Sequence, residues 1–237
     1  MKQTKKHSEF FSGLAAGIPI GLGYLSVSFG FGITAVRLGI SAVYAVIISL
    51  TNLTSAGQAQ GIQTIAAGGT LLEMALVQLV INLRYALMGL SLSQNLDPRF
   101  TLRHRFLAAY GITDEIFAVC STRKKPVTPS FMYGIIVISS FGWTLGTLAG
   151  AVAGEILPPD LIAAMGLMLY GMFIAIIVPP AARSKNVFVV LLIAAVLSIL
   201  CRYGLPFLSG GFAVILCGGA AALAGAVFFP IKEEAKA

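Results

Sequence analysis

Charged residues are scarce in this chain: they make up 11% of its 237 residues, against 57% hydrophobic, and the mean hydropathy is +0.91. Soluble domains carry roughly 25% charged residues, so a water-facing surface cannot be built from this composition. Histidine occurs twice and cysteine three times. His7 and His104 stand in charged flanks without a ligand partner, and Cys120, Cys201 and Cys217 are odd in number and lack metal-ligand spacing. That excludes a zinc site and a disulfide framework, and no metal or cofactor is expected. HExxH and GxSxG are both missing, so an intramembrane hydrolase has little support and no catalytic residue is assigned. Strict apolar–polar alternation is also absent, which excludes outer-membrane strands.

Long apolar runs are what the chain does have. No charge falls between Phe10 and Val36, Phe131 and Gly154, Leu161 and Ala182, or Tyr203 and Ile231. Each run can cross a hydrocarbon core, which needs roughly 20 helical residues. Helices are then the only way to satisfy the backbone in lipid. The first run follows basic residues, as in a signal peptide, but it is too long and more spans follow, so it reads as a retained span. The expected fold is an all-α integral membrane protein, a bundle of about six to eight membrane segments including broken or re-entrant helices.

Basic residues set the topology. If every apolar run crossed simply, Lys2, Lys5 and Lys6 would lie opposite Arg99, Arg103 and Arg105, against the positive-inside rule. The conflict vanishes if the polar segment Ser41 to Ala67 and the short segment Phe106 to Cys120 each return to their own side. All basic residues except Arg37, Arg84 and Arg202 then fall on the cytoplasmic side, with both termini. An eight-span arrangement stays open beside it. The net charge of +7 is gathered between spans, so the partner is the lipid bilayer and not nucleic acid. One domain, 1–237, is the simplest organisation, with halves at about 10–120 and 130–231. Each half opens on a glycine row, Gly13, Gly17 and Gly21 or Gly142, Gly146, Gly150 and Gly154. Such rows serve either ordinary helix packing or a duplicated transporter fold.

The stretch SLTNLTSAGQAQGIQ, Ser49 to Gln63, sits in a run with no charge between Arg37 and Glu73. On a continuous helix Thr51, Ser55 and Gln58 share one face, while Gly57 and Gly61 permit a break. Carboxamides in hydrocarbon need partners, so the cluster either bonds neighbouring helices or lines a hydrated site. In VQLVINLRYALMGLSLS, Gln78, Asn82, Tyr85 and Gly89 share a face and Arg84 points elsewhere. Arg84 cannot stay unpaired in the bilayer, and Asp114 and Glu115 of YGITDEIFAVC are its obvious partners. One acid can pair while the other exchanges a proton, or the pair is a static lock. Pro19 amid glycines allows either a bend or an unwound section in the first span. Trp143, beside Gly142 and Gly146, reads as a packing residue.

SLTNLTSAGQAQG, NLRYALMGLSLS and TDEIFAV, with the opening GLAAGIPIGLGYLSVSFGFG, resemble the AzlC-type large subunit of bacterial branched-chain amino acid exporters. The resemblance is densest from Gly13 to Val119. It implies an inner-membrane exporter of valine, leucine, isoleucine or methionine, working with a small membrane subunit of the AzlD type. The family motif commonly has an aromatic residue where this chain has Ala59, and often His where it has Tyr85. Both departures bear on the substrate.

A zwitterionic amino acid needs acceptors for its ammonium, donors for its carboxylate and an apolar wall. The expected substrate site is therefore a midplane cluster of Asn52, Ser55, Gln58, Gln60, Gln78, Asn82 and Tyr85, with Arg84, Asp114 and Glu115 in coupling or gating. A passive channel would want a similar lining, and flux against a gradient separates the two.

Overall fold

A computed structural model describes residues 2–156, 158, 160, 171, 174 and 177–229, with side chains from Glu9 onward save Glu155. The span expected at Leu161 to Ala182, the acidic turn Glu155 to Asp160, and Lys232 and Lys236 lie wholly or largely outside the described residues. Among the described residues the chain is helical, and five helices are long and apolar enough to cross a membrane. They are α1 (Lys2–Arg37), α4 (Leu71–Ser93), α7 (Pro129–Ile156), α8 (Lys185–Gly204) and α9 (Gly210–Phe228). Four shorter helices form two pairs, α2 (Ala42–Thr51) with α3 (Ala56–Ala66), and α5 (Leu102–Ala109) with α6 (Asp114–Ser121).

α1 stays helical through Pro19, so the unwound section that the proline allowed does not occur. Its glycine row explains the regularity. Gly13, Gly17 and Gly21 face Phe131, Ile135 and Ile138 of α7, while Gly142, Gly146 and Gly150 face Gly21, Leu25 and Phe29 of α1. The register rises together, so the two helices run parallel. A Cβ on Gly142 or Gly150 would overlap the carbonyl of Gly21 or Phe29. The two glycine rows are the two sides of one seam, the close approach that small residues permit between membrane helices.

α2 and α3 form a hairpin. Ile62 of α3 packs in one buried cluster with Ala45 of α2 and with Phe31 and Ala35 near the end of α1, flanked by Ile40. The chain has therefore turned back toward the end it entered from. The fold breaks at Asn52, whose side-chain Oδ1 accepts from both the backbone N–H (2.8 Å) and the hydroxyl (2.6 Å) of Thr54. This Asx turn offers the backbone an alternative to the helix ladder. Hence the expected continuous face through Thr51, Ser55 and Gln58 does not exist. The break also misses Gly57 and Gly61, which lie buried inside α3 and let Gln78 approach closely.

α5 and α6 form the second hairpin, entered from the opposite end. Its two roots are tied together: Asp97 N–H donates to the Val127 carbonyl (2.9 Å) and Val127 N–H to that of Asn95 (3.0 Å). Arg99 donates three hydrogen bonds to Asp97 and holds its carboxyl down at about 2. Arg123, just after α6, pairs with Glu9 of α1 at 2.6 Å. α9 docks on α4 at the other end, where the Ser209 hydroxyl donates to the buried Glu73 and Gly211 lies against it.

Candidate functional site

Both hairpins stop half way along the bundle, and their tips touch. The Tyr110 hydroxyl, at the tip of α5–α6, donates to the Leu50 carbonyl in the last turn of α2 at 2.7 Å. Between the two tips lies a cavity lined by Tyr24 of α1, Leu53 and Ser55 of the first tip, Tyr85 of α4, Thr113, Asp114 and Glu115 of the second tip, and Trp143 of α7. It holds room for about one water molecule. The starts of α3 and α6 both reach this volume, so the positive ends of two helix dipoles face it.

Each tip is fixed by named groups. Gln58 is 2% exposed, and its Nε2 donates to the carbonyls of Asn52 (2.7 Å) and Ile48 (3.2 Å). That amide closes the C-terminal end of α2 onto α3. Gln78 Nε2 donates to the Gly57 carbonyl (2.8 Å), and Asn82 Nδ2 to Gln78 Oε1 (3.0 Å), which ties α3 to α4. Ser55 takes φ +36°, the one non-glycine residue with positive φ among those described. A serine rarely adopts that conformation, and the tip holds it there. In the second tip, Thr113 caps α6 by accepting from the Ile116 N–H (3.4 Å), which leaves Asp114 and Glu115 in the first turn, where the helix dipole favours anions.

The charged groups divide. Of the two acids offered as partners for Arg84, Asp114 takes the ion pair, at 2.7 Å from Nη1, while Nη2 donates to the Tyr85 hydroxyl at 3.1 Å. Glu115 instead meets Tyr24, whose Oη lies 2.5 Å from Oε2 and 2.6 Å from Thr113 Oγ1. Tyr24 has one proton, which goes to the carboxylate, so the Thr113 hydroxyl donates to Oη. The Tyr24 and Trp143 rings pack near-perpendicular, with centroids 5.2 Å apart.

The profile of the AzlC protein family matches residues 19–157. The chain belongs to the AzlC family. Every residue lining the cavity falls inside the matched span, and α8 and α9 lie beyond it. The inner membrane protein YgaZ of Escherichia coli K12 is 30% identical over 95% of this chain and 94% of its own length. A membrane protein of Archaeoglobus fulgidus is 31% identical over 76% of this chain and 79% of its own. The branched-chain amino acid transport protein AzlC of Bacillus subtilis is 24% identical over 65% and 61%. No solved structure matches.

In this AzlC-family chain the residues expected at the site separate into two groups. Ser55, Tyr85, Asp114 and Glu115 line the cavity, with Arg84 behind Asp114. Asn52, Gln58, Gln78 and Asn82 give their amides to the turn and to the helix contacts beneath it. Gln60 is half-buried on α3, where its carbonyl accepts from the Thr64 hydroxyl. Four cavity residues were missed: Tyr24, Leu53, Thr113 and Trp143. Gly142 and Gly146 do not make room for Trp143 but press on α1, and the buried indole Nε1 has no acceptor among the described residues. Buried Gln58 Oε1, Asn82 Oδ1 and Arg84 Nε likewise have no partner there.

Proposed function

We propose that this AzlC-family protein is a secondary transporter that exports apolar amino acids, the branched-chain set and methionine, across the bacterial inner membrane. One observation carries the reading: two helical hairpins rooted at opposite ends of the bundle meet over a polar, acid-bearing cavity at mid-depth. Transporters build substrate sites from discontinuous helices in this way, where free helix ends meet both poles of a small solute. The name of the Bacillus subtilis relative supports the substrate class. Leu53 supplies an apolar wall beside the polar lining. Asp114, Arg84 and Glu115 supply the titratable and charged groups for proton coupling. Tip-to-tip closure favours a carrier over a passive channel.

Arg99, Arg103, Arg105, Arg123, Lys124 and Lys125 share the end of the bundle where α1 begins, and the positive-inside rule makes that end cytoplasmic. A small membrane subunit of the AzlD type completes the exporter. The test is counterflow in vesicles holding the chain with and without that subunit, loaded with leucine, valine, isoleucine or methionine. Labelled substrate accumulates above its outside concentration, and an imposed proton gradient changes the rate. Flux that only equilibrates, or none above protein-free vesicles, overturns the proposal.

A further inference from the structure

Two groups in the cavity between the hairpin tips have no complement in the protein. Glu115 forms no ion pair among the described residues, because Arg84 is spent on Asp114 and Glu115 is left with the Tyr24 hydroxyl. Trp143 is 1% exposed, lines the same cavity, and has an indole N–H without an acceptor. A buried donor without an acceptor and a carboxylate without a cation are both costly at mid-membrane, and each asks for the opposite chemistry. Tyr24 joins the two residues, with its hydroxyl on Glu115 and its ring packed near-perpendicular to that of Trp143. The first turn of α3 adds donors: the Gly57 N–H is taken by the Thr54 carbonyl (3.0 Å), and those of Ala56 and Gln58 are not taken among the described residues. Its N-cap Ser55 lines the cavity, yet its side chain caps no backbone N–H of that helix.

We infer that this cavity takes the two charged ends of one α-amino acid: the ammonium at Glu115 with the Tyr24 oxygen, and the carboxylate at the Trp143 indole N–H and the start of α3. This deepens the transport reading above and rests on it. It makes Trp143 and Tyr24 binding residues and leaves the amides of Gln58, Gln78 and Asn82 as supports of the tips. It also sets selectivity, since a solute with only one of the two charges leaves either the acid or the indole unanswered. The cavity admits about one water, so entry of an amino acid parts the two tips that line it.

Trp143 is the single tryptophan of the chain, so its emission reports the site directly. The full chain in lipid nanodiscs is titrated with leucine, with 4-methylpentanoate, which lacks the amino group, and with isoamylamine, which lacks the carboxylate. Competition against labelled leucine runs alongside. Leucine binds at least tenfold more tightly than either analogue. Glu115→Gln weakens leucine and isoamylamine at least tenfold and leaves 4-methylpentanoate unchanged, and Trp143→Phe, read by labelled leucine, gives the reverse pattern. Tyr24→Phe keeps the ring contact and weakens only the ligands that carry an ammonium. Should a variant fail to fold, the analogue comparison on the unaltered chain decides by itself. Equal binding of leucine and both analogues overturns the inference, as does equal weakening of all three ligands by both variants. Transport of leucine by wild type together with normal binding in both variants sinks this assignment alone. Absence of leucine binding and of leucine transport sinks the transport reading with it.

Discussion

Replacing Gln58 with leucine separates two roles that an amide in a membrane helix can have. Its Nε2 donates to Asn52 and Ile48 across the break between α2 and α3. Each neutral bond is worth about 1 kcal/mol net, and the carbonyls left behind cost a further 1–3 kcal/mol between them in a site this dry. Leucine is close in volume, so little cavity term is added. Against this, the variant removes the partnerless Oε1, which returns about 1 kcal/mol. The sum is a loss of about 2–4 kcal/mol, localised at the first hairpin tip. Thermal melting followed by Trp143 emission reads the stability, and leucine counterflow reads the function. A melting point lower by several degrees is expected, with a lower maximal rate and a KM for leucine within twofold of wild type. Unchanged melting with a tenfold higher KM would instead place the amide on the substrate and not on the tip.

The Arg84–Asp114 pair is half-exposed on both sides, so Arg84→Met or Asp114→Asn alone costs about 1–3 kcal/mol by stranding the other charge, and the double variant recovers part of that loss in a melting cycle. Additive losses would show that the two charges do not interact. Gly142→Val drives a side chain into the backbone of α1 and lowers melting by the equivalent of about 1–3 kcal/mol or more, whereas Gly23→Ala, with open space around it, is neutral or mildly stabilising. Cys201 of α8 and Cys217 of α9 hold their sulfurs 3.4 Å apart as free thiols. Diamide, itself reduced to the hydrazine, takes both thiols into a disulfide and abolishes maleimide labelling of the pair. Cys217→Ser leaves Cys201 available to maleimide after the same treatment.

Basic residues and the polar content of Ser41 to Ala67 made the two hairpins legible in advance, because both signals act locally. The exact break was not, since helical periodicity treats Asn52 as one more residue on a face, whereas its side chain competes for the backbone at Thr54. Thr113 could have been found: a threonine followed by two acids ahead of an apolar run is a helix-start pattern, and it marks the second tip. Arg84 announced itself by charge alone. Tyr24 and Trp143 carried no such signal, because an aromatic residue in an apolar helix looks the same whether it faces lipid, core or cavity. Only the parallel seam of α1 and α7 brings them together, and that contact spans more than a hundred residues of chain. Glu73 gave a charge without a place; its burial depends on α9 arriving from the far end of the sequence.

Because the hairpins are rooted at opposite ends, the carrier proposed above would uncover its cavity toward one compartment by withdrawing one hairpin while the other still stoppers the far mouth. A cargo molecule could thus be passed across in two strokes without any moment of through-leak. The ion gradient of the cell would survive each handover.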